Sequence, residues 1–286
     1  MPPVRAPLQP VHILGATFND PALVSVLMDA GKQDARDITV VHGFRSGIRD
    51  LSGLEACANL EEADLHQNEI SDVTALVGME HLKVLHLGIN LLTSAQPFAS
   101  MPALEHLTLF QNDIEDITPL AQLRHLKALH LRYNLLEDIY PLGQLTTLQE
   151  LSFGNNAVKD ISAVERLTGL ELLNGYFNFI EDLTPIMALQ DLKWLYLGYN
   201  KITDIEPLFE LENLLEVHLE GNEGIPPGDE AELQRFLADR RATRPLRAPP
   251  LEADAPLDEA EDFIQGPGDV PDRVKRQRAA RAARKR

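Results

Sequence analysis

The chain has one cysteine, Cys57, in 286 residues. A disulfide framework is therefore excluded, and a reducing compartment is the simpler expectation. No run approaches the roughly 20 apolar residues of a membrane span. The opening MPPVRAPLQPVHILG is broken by prolines and holds no apolar block of a signal peptide. A cytoplasmic location is expected, with secretion or surface display the alternative if the true N-terminus is longer. Phosphate loop, dinucleotide fingerprint, nucleophile elbow, HExxH and paired-cysteine motifs are all missing, so neither enzymatic activity, a cofactor nor a bound metal is expected.

Basic charge is scarce except at one end. The formal charge is −18, yet residues 272–286 hold eight Lys/Arg and one acid, leaving 43 acids against 18 basic residues before them. An acidic body disfavours sequence-independent binding to phosphate backbones. Only the tail is suited to nucleic acid or an anionic membrane, a tethering role that is the alternative to the reading developed below. Its plainer reading is a solvated segment touching the acidic body in cis.

What the sequence does have is a period. Asparagines stand at Asn68, Asn90, Asn112, Asn134, Asn156, Asn178, Asn200 and Asn222, every 22 residues, with Ser46 in the same place one step earlier. Apolar columns accompany them: Leu60 to Leu214 eight residues before, Val41 to Val217 five before, Leu65 to Leu219 three before and Ile48 to Ile202 two after. Gly43 and Gly175 interrupt the third column. This is LxxLxLxxNxI, the pattern of a leucine-rich repeat. Half of each unit reads DIxPL, as in Asp116–Leu120 and Asp204–Leu208, which leaves room for a 3₁₀ or extended turn and not a full helix. The Asp column is expected to cap that turn, and a proline such as Pro119 to begin it. The Asn column is expected to satisfy backbone groups where the strand turns away. Cys57 falls in a core column with Met79, Met101 and Leu123, so packing is its expected role.

These repeats resemble the internalin-type repeats of bacterial surface proteins and, more loosely, the phosphatase-regulatory leucine-rich repeats of eukaryotes. The resemblance runs from about Ile38 to Asn222, and FNDPALVSVLMDAG before it is similar to the helical cap of such arrays. It implies a binding scaffold with no chemistry of its own.

The expected architecture is an α/β leucine-rich repeat solenoid, a horseshoe with a parallel sheet on its concave face, short 3₁₀ or extended turns on its convex face, and helical caps. Residues 1–37 form the N-terminal cap, with Asp20 and Pro21 starting its helix. Residues 38–225 form about nine coils, and residues 226–242 the C-terminal cap, with its helix starting at Asp229. Residues 243–286 form a disordered tail, acidic and then basic.

Strand alternation places the residues six, four, two and one before each Asn on the concave face. Eight of the sixteen aromatics and six of the nine histidines fall there. We expect Phe44, His86, His106, Phe110, His130, Tyr133, Tyr176, Phe177, Trp194, Tyr196 and Tyr199 to dock a partner protein, with Gly154 and Gly198 leaving gaps for its side chains. The competing reading is that the rings only stack on one another along the sheet. Histidines His66, His86, His106 and His130 step across neighbouring strands, which admits a metal pair or a pH-sensitive contact, though plain solvated positions are favoured. Acids outnumber Arg45 and Arg132 on this face, so a partner with a basic patch is favoured. A monomer is expected, and Phe153 with Phe177 is expected to pack over Gly175.

Overall fold

The structure, a computed structural model, describes residues 10–243. The basic tail and the tethering role read from it lie outside the described residues. The chain divides into two compact units between His130 and Leu131.

The first unit opens with an antiparallel hairpin of β1 (Val11–Ile13) and β2 (Ala16–Phe18). Its turn uses Leu14 and Gly15 at φ 52° and 75°, the left-handed pair a tight hairpin requires. Sequence reading passes over this hairpin because its strands are three residues long and Leu14 is no turn former. Helix α1 (Pro21–Asp29) follows, buries Leu23 and Leu27, and packs on the hairpin and on β3. Asp20 explains its position. One carboxylate oxygen accepts from the Ala22 N–H at 2.8 Å, capping the helix. The other accepts from Arg49 and Asp50 at 2.6 and 3.1 Å. A carboxylate 2% exposed thus ties the helix start to the first coil.

Strands β3 (Val40–His42), β4 (Glu62–Asp64), β5 (Val84–His86), β6 (His106–Thr108) and β7 (Ala128–His130) pair in parallel, each residue opposite the one 22 later. The second unit repeats this with β8 (Glu150–Ser152), β9 (Leu172–Asn174), β10 (Trp194–Tyr196) and β11 (Glu216–His218). The order in the nine-stranded sheet is sequential, β3 to β11. Only three residues per coil are strand. The middle one, such as Leu151, Leu173 or Leu195, is fully buried, and burial of each such leucine is worth about 1.5–3 kcal/mol. Cys57 is wholly buried in the core, and burial pushes its thiol up to about 11.

The two polar columns do what their spacing predicts. In the second unit Asn178 Oδ1 accepts from the Val158 N–H at 2.9 Å, while Nδ2 donates to Phe153 O at 3.2 Å and Gly175 O at 3.1 Å. One amide therefore satisfies groups in its own coil and in the coil before. Asp182 Oδ1 accepts from the Thr184 N–H at 2.8 Å, and Asp116 does the same for Thr118. The 3₁₀ segments begin at those threonines, Thr118–Gln122 and Thr184–Ala188, so the prolines take the second position and not the first. The Asp occupies the first N–H, and Pro119 or Pro185 follows with none to satisfy.

The last described element of the second unit is α2 (Pro227–Thr243). It starts two residues earlier than Asp229, because a proline is tolerated in the first turn, where its missing N–H has no partner to lose. Phe236 packs edge-on against Phe209, ring centroids 5.1 Å apart, and Arg241 Nε donates to Leu215 O at 2.7 Å.

Candidate interaction surface

The residue before each Asn departs from the strand pattern. Arg45, Gln67, Ile89, Gln111, Tyr133, Asn155, Phe177 and Tyr199 all have φ between 51° and 56°, and Gly221 has 76°. The chain turns off the sheet there through a left-handed residue, so side chains one and two before the Asn lean along the stack and do not stand on a strand. Only Gly221 and Asn155 carry residue types that advertise this conformation.

In the first unit Phe44 is 52% exposed and His106 is exposed, but Phe110 is 6% exposed. This corrects its expected place as an open anchor. Gly88 is the cause: a Cβ there would lie 2.3 Å from Phe110 Cε1 and 2.7 Å from His66 Cδ2, so both rings lie over the glycine. His66 stacks on His86, centroids 5.1 Å apart and planes 22° apart, and its Nδ1 is 2.9 Å from Asp64 Oδ1. Burial raises the Asp64 pKa, but the His66 ring and backbone bonds outweigh it and the net direction is down. His86 Nδ1 meets Thr108 Oγ1 at 3.0 Å, and His130 is half-buried. Among the described residues no group of three or more His, Cys, Asp and Glu is placed to hold a metal ion.

In the second unit the rings gather. Phe177 and Tyr199 stack face to face, 4.3 Å apart and 3° from parallel, with Tyr176 at 6.0 and 6.2 Å from them. Tyr176 hydrogen-bonds Glu220, and Tyr196 donates to Glu216 at 3.1 Å. His218 lies 5.0 Å from the Tyr196 ring, with Nε2 2.9 Å from Glu216 Oε1. All four of these aromatics are half-buried, as is Tyr133, whose hydroxyl is pushed up by burial against the opposing influence of Arg132.

Three expectations need correction here. Trp194 is 5% exposed, in register with Leu172 and Glu216 on the neighbouring strands. It is part of the floor and not an exposed ring. The gap over Gly198 is filled by the chain itself, since a Cβ there would sit 2.5 Å from Tyr176 Cε1. The void at Gly175 is filled by Phe153 and Leu197, whose atoms a Cβ would meet at 3.0 Å, while Phe177 is engaged with Tyr199. Mutual stacking therefore accounts for much of the order in this patch, although its upper edges stay open to solvent.

A leucine-rich repeat family model, described as Leucine Rich repeats (2 copies), matches residues 102–144. Internalin C2 from Listeria monocytogenes is 34% identical, covering 71% of this chain and 94% of its own, with a TM-score of 0.68. A second Listeria monocytogenes internalin, inlF, is 27% identical over 69% of this chain and 73% of its own, TM-score 0.53. The ectodomain of the Arabidopsis receptor kinase HAESA, solved with an IDA peptide hormone, is 24% identical over 58% of this chain and 31% of its own, TM-score 0.51, a likeness of fold alone. A search of curated proteins finds no match.

The nine sequential strands, the Asn column and the internalin C2 match define a leucine-rich repeat protein. The chain belongs to the internalin-type family of these repeats. Among the described residues no helix is long and apolar enough to cross a membrane.

Proposed function

We propose that this protein is a binding scaffold that acts without chemistry of its own, and that the half-buried ring cluster of its second unit docks a partner protein carrying a basic patch. The observation that supports the reading is the pairing of rings with acids. Tyr176 and Tyr196 each present a hydroxyl to a carboxylate, Glu220 and Glu216, and no Lys or Arg among the described residues forms an ion pair with either. Tyrosine gives contact area at low entropy cost, and carboxylates at the rim select cations. Phe44, His86, His106, Phe110 and His130 belong to the first unit, where Phe44 and His106 are the exposed pair. Helices α1 and α2 act as caps in this reading, covering the core that the terminal coils would otherwise expose.

The test is affinity capture with the wild-type protein and a Tyr199→Ala/Glu220→Lys variant as baits, followed by mass spectrometry. The expected result is a protein held by the wild type and lost from a variant that keeps its thermal transition. Identical captures by the two baits would refute the reading.

A further inference from the structure

We infer that the second unit carries a groove one coil wide, at Asn155–Ala157, and that its ligand is an extended, proline-rich segment of the partner protein with arginine or lysine at one end. This deepens the docking reading above by naming the partner's contact segment, and rests on it.

The groove follows from side-chain size. Gly154, Asn155 and Ala157 occupy the outward places beside the asparagine column, and theirs is the one coil of the second unit in which all three are short. Tyr133 and Leu135 stand in the coil before, Phe177 and Phe179 in the coil after, and all four are half-buried. Ala157, 4% exposed, forms the floor. The far faces of the two phenylalanines are already engaged: Tyr199 stacks on Phe177 at 4.3 Å, and Lys201 Nζ lies 5.2 Å from the Phe179 centroid. Their near faces therefore line the groove. Tyr176 closes the concave end, since a Cβ on Gly154 would meet Tyr176 O at 3.1 Å.

Width decides the kind of ligand. The walls sit two strand spacings apart, about 9.6 Å between backbones. An α-helix, about 10–12 Å across with its side chains, does not enter. Strand addition needs a free sheet edge, and this coil is interior: Asn155 N–H donates to Tyr176 O at 2.7 Å, Ala157 N–H to Leu136 O at 2.8 Å and Phe179 N–H to Val158 O at 2.8 Å. What is left to offer a ligand is ring faces and side-chain donors. The Asn155 amide and the Tyr133 hydroxyl make no hydrogen bond among the described residues. A polyproline II segment answers both features, because its rings pack on aromatic faces and its carbonyls, with no internal hydrogen bonds, accept from side chains.

Charge sets the ligand's end. Past Ala157 the open mouth is rimmed by Glu137, Asp138, Asp160, Glu181 and Asp182, with Lys159 the cation among them, and all six are exposed. Five acids to one cation favour a basic residue where the segment leaves the groove. The partner's basic patch and its proline-rich segment are then one and the same stretch of chain.

Titration of the full-length protein with a synthetic octapeptide, six prolines followed by two arginines, tests this by calorimetry and by the Asn155 side-chain amide signals in NMR spectra. Expected is saturable binding that shifts those signals and is at least about tenfold tighter than that of two control peptides. One control replaces the prolines by alternating glycine and serine, the other replaces the arginines by glutamates. Phe179→Ala should weaken binding about tenfold. Asn155→Gly, which keeps the left-handed backbone and removes one donor, should weaken it about fivefold. Leu91→Ala, at the same place in a coil of the first unit, should change nothing, and thermal unfolding checks the fold of each variant. Equal affinity for either control, full retention in Asn155→Gly and Phe179→Ala, or no binding at millimolar peptide would overturn the inference. The docking reading is scored separately: a Tyr199→Ala/Glu220→Lys bait that loses a partner upholds it even where the proline peptide fails. Where both hold, excess proline peptide releases the captured partner from the wild type.

Discussion

Tyr176 lies across Gly198, one coil further on, and a Cβ on that glycine would come within 2.5 Å of the ring and 3.1 Å of Glu220 O. Gly198→Ala should therefore push Tyr176 off its seat and break its bond to Glu220. We expect a loss of about 1–3 kcal/mol, the usual range for overpacking, in urea denaturation. The Gly198→Ala/Tyr176→Ala pair should be less destabilised than the sum of the two single variants, because the clash needs both groups.

Trp194 makes the opposite case. Its indole Nε1 is buried and has no hydrogen-bond partner among the described residues, a situation that costs about 1–3 kcal/mol. Trp194→Phe keeps an aromatic floor and removes the orphan donor. Stability within about 1 kcal/mol of wild type, or a gain, is expected, whereas Trp194→Ala should lose about 3–5 kcal/mol. Thermal and urea unfolding of the two variants decide it.

Ile89 holds φ at 55°, a region costly for a β-branched side chain by roughly 1–2 kcal/mol. Its side chain is only half-buried, so little packing is lost on replacement. Ile89→Asn should raise the melting temperature, because asparagine tolerates the left-handed conformation. An unchanged or lowered transition would show that packing outweighs backbone strain there.

Acid should loosen the turn caps. The Asp116 and Asp182 carboxylates are held below their usual range, first by the Thr118 and Thr184 side chains and then by their N–H groups. A folded pKa below the unfolded value of about 3.9 means that the contribution is complete above that pH and fades as pH drops through the folded value. The stability difference between wild type and Asp182→Asn should be positive at pH 7 and shrink below pH ~4, as read from urea midpoints across that range.

The period was legible because it rests on residue identity. An amide at every twenty-second position and a carboxylate four residues later have one job each, and Asn178 and Asp182 perform it. The depth of the outward rings was not legible. Alternation tells which side of a strand Trp194 occupies, but not that Leu172 and Glu216 flank it closely enough to bury it. Gly198 looked like a gap in the sequence because the ring that fills it, Tyr176, comes from another coil, 22 residues away. The left-handed turn was hidden for a simpler reason: Tyr199, Phe177 and Ile89 are residue types that seldom adopt it.

The amide column also bears on how such a chain changes length. Asn200 binds Ile180 N and Gly175 O, and Asn222 binds Ile202 N and Leu197 O, the same two offsets each time. Duplication or excision of a whole 22-residue module keeps every offset intact, while loss of one residue breaks the series at that joint. Growth by integer steps is thus tolerated by construction, and an intermediate length is not.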